Sequence, residues 1–163
     1  MGRLPDTYRN RKIESRTPYV MQSRVDAINS QQLVTFPSGS FLYEGINKVF
    51  EVHRMIPRVF EVDANGDIVS DLGEWGLAFV NARIRDTARD QEMTKQATPL
   101  AILTLGSEER TWEWPEPYHL DKSEGFVVTF DVINLGRVFD TPDIPLLRVA
   151  LAFEGFLLDF KEA

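Results

Sequence analysis

The sequence contains no cysteine among its 163 residues. This absence excludes disulfide bonds, thiolate metal sites and thiol nucleophiles, and it suits a protein made in a reducing cytosol. Only two histidines are present, His53 and His119, and they lie in separate segments without the spacing of a paired metal-binding motif. We therefore expect packed or polar histidines, with neither a metal site nor a cofactor.

Long apolar runs are also missing. No segment approaches the roughly 18 apolar residues of a membrane-spanning helix, and the first residues, MGRLPDTYRNRKIESR, lack the apolar stretch of a secretory signal. The sequence therefore predicts a soluble chain. Its length suits one ordinary domain that buries a core without covalent staples.

The net charge of −7 is unevenly distributed. Residues 1–24 contain six basic and two acidic side chains and so carry +4, whereas the rest of the chain carries −11. An acidic body disfavours nucleic acid as a partner, because phosphate neutralisation needs clustered basic side chains. We expect neither nucleic acid nor a membrane as a partner. The basic segment suits a neighbouring subunit's acidic surface; the alternative is a solvated leader.

The first thirty residues show no sustained apolar periodicity, and Leu4-Pro5 and Thr17-Pro18 favour extended backbone. We predict an extended N-terminal arm over residues 1–30, with a short helix over residues 21–28 as the alternative. From Gln32 the pattern changes to short β-rich runs separated by turn signals, with a break predicted at Ile56-Pro57.

Two strands are predicted most clearly. In residues 126–135, apolar side chains alternate with polar ones, and residues 147–157 repeat the alternation through Gly155, which would permit a bulge. Further strands are predicted over residues 77–87 and 97–105, with an exposed excursion over residues 86–96 between them. The fold class is therefore all-β: an antiparallel two-sheet sandwich over residues 31–163, jelly-roll-like, with an immunoglobulin-like sandwich as the alternative.

No catalytic motif emerges from the polar residues. The segment Asp63–Asp67 has the closely spaced oxygen ligands of a calcium loop, but its Asn-Gly pair between two strands favours a hairpin turn. Ser38 and Ser40 lack the surroundings of a nucleophile elbow. The abundant carboxylates leave a glycosidase-like acid pair open without identifying one. We therefore expect a binding or assembly protein and not an enzyme.

The aromatic residues near the middle of the chain allow two interpretations. Trp112, Trp114 and Tyr118 would stack on sugar rings in a carbohydrate-binding module. Alternatively, the two tryptophans share one side of a strand and pack into the core or a subunit contact, which is the interpretation that we favour.

Three segments together resemble small structural proteins of tailed bacteriophages. They are RIRDTARDQEMTKQATPLAILTLG, WPEPYHLDKSEGFVVTFDVINL and RVALAFEGFLL, and they span about half of the chain. The chain is similar to the capsid decoration or cement proteins that stabilise phage heads.

The resemblance implies a virion protein, made in the bacterial host cytoplasm, that forms a dimer or trimer and bridges major capsid proteins. It implies that the arm orders on docking. The expected contacts in the arm are basic and aromatic side chains: Tyr8, Arg9, Arg11, Lys12, Arg16 and Tyr19. A tail, connector or spike component is the alternative within the virion.

Overall fold

The structure is a computed structural model that describes residues 4, 6–26, 34–35, 39–42, 48–63, 65–87, 91–94, 96–132 and 146–161. It contains two antiparallel sheets, and the predicted all-β sandwich is confirmed. A 3₁₀ helix over Asp6–Tyr8 precedes the first strand. No helix among the described residues is long and apolar enough to span a bilayer.

Sheet I contains the long strands. Its order is β1 (Ile13–Asp26), β11 (Leu146–Phe160), β4 (Lys48–Val62) and β5 (Ile68–Asp71), and β9 (Trp112–Leu120) pairs with the other half of β4. Sheet II has β10 (Gly125–Val132) at its centre. On one side of β10 lie β2 (Val34–Thr35) and β3 (Gly39–Leu42), and on the other lies β6 (Val80–Asp86), which pairs with β7 (Gln91–Glu92) and β8 (Thr98–Pro99).

The connectivity is that of a jelly roll. With β2 and β3 taken as one position, β7 and β8 as another, and β5 as a hairpin extension of β4, the described strands supply eight positions. Sheet I then runs in the order first, eighth, third, sixth, and sheet II in the order second, seventh, fourth, fifth. This double-sheet order is the jelly-roll order that we predicted, and it differs from the immunoglobulin order that was the alternative.

The core lies between the sheets and follows the predicted alternation. Phe126, Val128 and Phe130 on β10 are fully buried, as are the inward residues of β11 from Leu147 to Phe153. Burying each such side chain contributes about 1.5–3 kcal/mol. A second, smaller apolar cluster of Val49, Leu158, Phe160, Leu4, Tyr8 and Phe156 covers one end of the outer face of sheet I.

The N-terminal segment is extended but lies within the sandwich. β1 pairs with β11 along nearly its whole length and forms the end of sheet I, whereas a separate arm had been predicted. No helix occurs between residues 21 and 26, and the boundary predicted at residue 30 lies outside the described residues.

Two local predictions were wrong. The break at Ile56-Pro57 is absent, because β4 continues through Pro57. At this point β4 pairs with β11 on one side only, so no neighbouring strand on the other side requires an N–H from residue 57. Residues 97–105 form only the two-residue β8 and then α2 (Leu100–Leu103), since Thr104 donates its hydroxyl to the Leu100 carbonyl and closes a helical turn.

The strand predicted over residues 77–87 is shorter. α1 (Gly73–Ala78) includes Leu77, and β6 begins at Val80. The predicted excursion between residues 86 and 96 contains β7, which folds back on β6, and residues 88–90 and 95 lie outside the described residues.

Candidate binding surface

The outer face of sheet I, which points away from the core, is a regular surface formed by the long strands β1, β11 and β4. Opposed residues of an antiparallel pair share a face, so the register aligns side chains in rows across the sheet. Four successive rows read Arg24–Ala150–Arg58, Gln22–Ala152–Ile56, Val20–Glu154–Arg54–Glu113 and Pro18–Phe156–Glu51–His119. These rows divide the face into an arginine-and-alanine region and a region of paired ions.

A bulge interrupts the pairing of β4 and β9. Arg54 lies opposite Glu113 and Val52 opposite Tyr118, so four residues of β9 face His53 alone. Two of the four are Pro115 and Pro117, which have no N–H to donate to a ladder. The gap opens the bulge groove, a groove of about 610 Å³ lined by Tyr19, His53, Arg54, Glu113, Trp114 and Phe156 among others.

Beside the bulge, Arg54 is neutralised by carboxylates. Its Nε and Nη2 donate to Glu154 Oε1 at 2.9 and 2.5 Å, and its Nη1 donates to Glu109 Oε2 at 3.1 Å. The hydrogen bond to Glu154 raises the pKa of Arg54 above its already high value. The row through Arg54 therefore presents paired charges and offers little net attraction for an ion.

Glu51 is the most enclosed carboxylate on this face, with only 5% of the residue exposed. Arg16 donates to its Oε1, His53 Nε2 lies 2.7 Å from the same oxygen, and His119 Nε2 lies 3.2 Å from Oε2. Burial raises the pKa of Glu51, but the hydrogen bonds with His53 and His119 and the charge of Arg16 outweigh it and lower the pKa. We call these four residues the Glu51 cluster.

The Glu51 cluster has the residue types of a metal site without its arrangement. Among the described residues no group of three or more His, Cys, Asp or Glu side chains is placed to hold a metal ion. Both carboxylate oxygens of Glu51 already face nitrogen atoms, including the permanently charged guanidinium of Arg16. The cluster therefore joins β1, β4 and β9 as an ion network.

The turn over Asp63–Asp67 is the predicted hairpin. Gly66 has φ +85°, Asp63 and Asp67 close the turn by a backbone bond of 2.9 Å, and the Asp63 carboxylate accepts the N–H groups of Asn65 and Asp67. The Asp63 oxygen that would serve a cation is engaged by the backbone, and β4 and β5 flank the turn.

The arginine-and-alanine region forms a shallow depression of about 550 Å³ on the outer face. We call it the arginine trough, defined by Arg24, Arg58, Ile56, Phe60, Ala150 and Ala152. Its floor follows the central strand β11, where the two alanines are low between the larger side chains of β1 and β4.

The structure places the predicted arm residues in three ways. Tyr8 packs on Phe160, with ring centroids 4.8 Å apart, and Tyr19 packs edge-on against Phe50 in the core, at 4.9 Å. Arg16 belongs to the Glu51 cluster. The others lie near the start of β1: Arg9 pairs with Asp6, Arg11 lies over the Tyr8 ring and Lys12 is exposed.

The three aromatic residues predicted on β9 are brought together against the core. Trp112 and Trp114 have centroids 4.9 Å apart, Trp114 stacks on Phe126 at 5.9 Å, and the Tyr118 hydroxyl donates to the buried Asp86 of sheet II. Trp112 also lies opposite Met55, in an inward-facing row. The core-packing interpretation accounts for these contacts.

Sequence reasoning missed both the Glu51 cluster and the arginine trough. Each is built by register between strands that are far apart in the sequence, and no local motif encodes that register. One signal was present in the sequence, since both histidines lie in strand-like segments. The sequence did not indicate that the two histidines meet at Glu51.

Comparison with known proteins gives no relatives. No family model matches the chain, and neither the curated proteins nor the solved structures include a significant match.

Proposed function

We propose that this protein is a structural component of a phage virion, a capsid decoration or cement protein that binds and bridges major capsid proteins on the head. The jelly-roll order supports the proposal, because this double-sheet fold is common among viral capsid domains. The fold also occurs in lectins and cupins, so the fold alone does not decide the function.

The observation that carries the proposal is the outer face of sheet I. It is formed by the longest strands and combines apolar side chains with arginines, as protein-binding surfaces do. Its depressions are shallow and open on a regular sheet, which suits a broad protein contact better than the enclosure of a small substrate. Repeated over a shell lattice, weak contacts of this kind add up through multivalency.

One edge of β1 pairs with no described strand, and this edge supports an oligomer, a dimer or trimer. Among the described strands β1 is the last in sheet I, and its 14 residues leave one row of backbone groups to a neighbour. Pro18 has no N–H to contribute to such a pairing, so an added strand would be held mainly by the parts of β1 on either side of it.

The experiment is co-sedimentation of the protein with intact phage heads on a density gradient, with its copy number measured per head. Copies in proportion to the capsid lattice would support a decoration role. A few copies per particle would indicate a component of the connector, tail or spike. Absence from particles would refute a virion role.

A second candidate is a carbohydrate-binding module, and one feature favours it. A crevice of about 220 Å³ between β7 and β9 is lined by Gln91, Glu92, Met93, Trp112, Trp114 and Tyr118. The buried Nε1 of Trp114 has no acceptor among the described residues, so a sugar hydroxyl that entered the crevice far enough to meet it would satisfy an unpaired donor. Glycan binding that Trp112→Ala abolishes without loss of folding would establish this candidate.

A further inference from the structure

We propose that the arginine trough binds an acidic, extended segment of a protein partner. The inference rests on the proposed function, in which that partner is the major capsid protein, and it specifies the chemistry of the contact. Three features of the trough support this assignment: its shape, the state of its two arginines and the charges beside it.

The shape fits an extended chain. Ala150 and Ala152 are two residues apart on β11, so the two rows of the trough are roughly 7 Å apart along the strand. Alternate side chains of an extended segment have the same spacing. A segment lying along β11 would therefore place one side chain between Arg24 and Arg58 and the next between Gln22 and Ile56.

The first of these positions calls for a carboxylate. Arg58 Nη1 donates to the carbonyl oxygens of Pro57 and Arg110 at 2.7 and 3.2 Å, and its Nη2 donates to that of Glu109 at 3.0 Å. These bonds hold the guanidinium in place and use three of its five N–H groups. These bonds are to carbonyl oxygens, and no described carboxylate pairs with Arg58.

Arg24 faces Arg58 across Ala150 and is exposed. No described carboxylate pairs with Arg24 either, in contrast to Arg54 on a neighbouring row, which meets both Glu154 and Glu109. Two guanidinium groups that pair with no described carboxylate, on opposite sides of one small residue, favour a local positive potential on a protein of net charge −7. A carboxylate between them would gain charge-assisted hydrogen bonds.

The second position calls for a small apolar side chain. Ile56 and Ala152 provide an apolar surface there, and Phe60 extends it beside Arg58. A nucleic-acid backbone would gain nothing from this surface. Asp71, Glu108 and Glu109 line the adjoining hollow that shares Ile56 and Arg58 with the trough, and they would repel both a nucleic-acid backbone and an acidic segment that extended beyond the trough. An acidic peptide with small apolar residues between its acids is the ligand that fits both positions.

The test is fluorescence anisotropy of labelled eight-residue peptides with the full-length protein at low ionic strength. The probes are a thymidine oligonucleotide and peptides of two four-residue repeats, Glu-Thr-Ala-Thr, Gln-Thr-Ala-Thr and Lys-Thr-Ala-Thr, which we call the Glu-Ala, Gln-Ala and Lys-Ala peptides. The first and third residues of each repeat lie on the same face of an extended chain and so meet the two positions of the trough together. We expect the Glu-Ala peptide to bind at least about tenfold more tightly than the others, and Arg24→Glu to weaken its binding at least about tenfold. The matched control is Arg83→Glu, an exposed arginine on β6 of sheet II, with less than about a twofold effect.

A second variant tests the shape alone. Ala152→Tyr fills the trough without changing charge, and a tyrosine is well tolerated in a strand. We expect it to weaken binding of the Glu-Ala peptide to a similar extent while thermal unfolding stays cooperative. Equal binding of the Glu-Ala and Gln-Ala peptides, tighter binding of the oligonucleotide, or unchanged binding by Arg24→Glu would each overturn the inference.

Head attachment separates this inference from the proposed function. If the wild-type protein is present on heads and Arg24→Glu attaches in the same copy number, the trough is not the contact although the decoration role stands. If the wild-type protein is absent from heads, the decoration role fails, whereas the peptide measurement still decides whether the trough recognises acidic segments.

Discussion

At the scale of single residues, the Glu51 cluster shows how a buried charge is kept in the outer face of a sheet. Two histidines and one arginine surround a carboxylate that is almost completely enclosed. Removing a carboxylate from water has a large cost, which only hydrogen bonds and opposite charge offset. The result is a hydrogen-bonded ion network that connects β1, β4 and β9.

Glu51→Gln is expected to destabilise the protein by about 2 kcal/mol, because an amide replaces charge-assisted hydrogen bonds by weaker ones and turns a donor toward other donors. Urea denaturation at neutral pH measures the change in the free energy of unfolding. The matched control is Glu108→Gln on an exposed residue, for which we expect a change within about 0.5 kcal/mol. Equal effects of the two substitutions would contradict the role of the cluster.

The same residue sets a pH dependence. The folded protein lowers the pKa of Glu51 below its ordinary value of 4.5, so the unfolded chain binds a proton more readily. The stabilisation is therefore complete above pH 4.5 and is lost as the pH falls through the lower folded-state pKa. We expect the gap in unfolding free energy between wild type and Glu51→Gln to narrow on acidification; a gap that stays constant would refute this assignment.

At the scale of elements, β4 and β11 approach each other closely at a β-bulge beside Gly155. His53 is the extra residue of β4 at this point, where Arg54 pairs with Glu154 and Val52 pairs with Gly155. The bulge predicted at Gly155 is confirmed, although the sequence did not indicate that the extra residue lies on the partner strand. Phe50 and Met55 are five residues apart, so in a regular strand their side chains would lie on opposite faces. The extra residue shifts the alternation of β4 by one position, and both side chains lie in the core.

Gly155→Ala is expected to destabilise the protein by about 3 kcal/mol or more. A Cβ at this position would overlap the Glu51 carbonyl oxygen and lie 2.8 Å from the carbonyl carbon, and both belong to backbone that is fixed in the sheet. The comparison is Gly106→Ala, where φ is +86° and a Cβ meets nothing within 4 Å. That substitution costs only backbone strain, about 1–2 kcal/mol. A Gly155→Ala protein as stable as Gly106→Ala would show that the strands separate easily here.

Elements were predictable where side chains alternate and unpredictable where they do not. The buried stripes of β10 and β11 are visible in the sequence because every second residue is apolar. The run LAIL has no such alternation, and its helical turn depends on bonds to Thr104 that periodicity does not reveal. Pro57 suggested a strand end because proline interrupts a strand that has neighbours on both sides. The sequence does not show that β4 has no paired strand on one side at this residue, since that is a property of the folded sheet.

At the scale of the whole molecule, the two-sheet class was predictable but the composition of the outer face of sheet I was not. The number of alternating runs and the turns between them indicate a sandwich. Which side chains share the outer face depends on register between β1, β11, β4 and β9, which pairs residues as distant in the sequence as Ile13 and Phe160. The basic N-terminal segment looked separate because its charge and its lack of periodicity hide its pairing with β11.

Deletion of residues 1–24 tests the integration of that segment. The deletion removes all but two residues of β1, including Met21, which belongs to the hydrophobic core. It therefore exposes the edge of β11 and leaves a gap in the core. We expect the shortened protein to lose cooperative thermal unfolding and to aggregate, whereas deletion of residues 1–3 alone leaves the unfolding transition cooperative. A stably folded protein without residues 1–24 would show that β1 is a detachable arm.

The most direct measurement of the central claim is a cryo-electron microscopy map of the phage head at a resolution that separates strands. We expect jelly-roll density on the shell lattice, with the outer face of sheet I toward the major capsid protein and an extended segment of that protein along Ala150 and Ala152. Heads without this density, or with the outer face of sheet I turned to solvent, would contradict the claim.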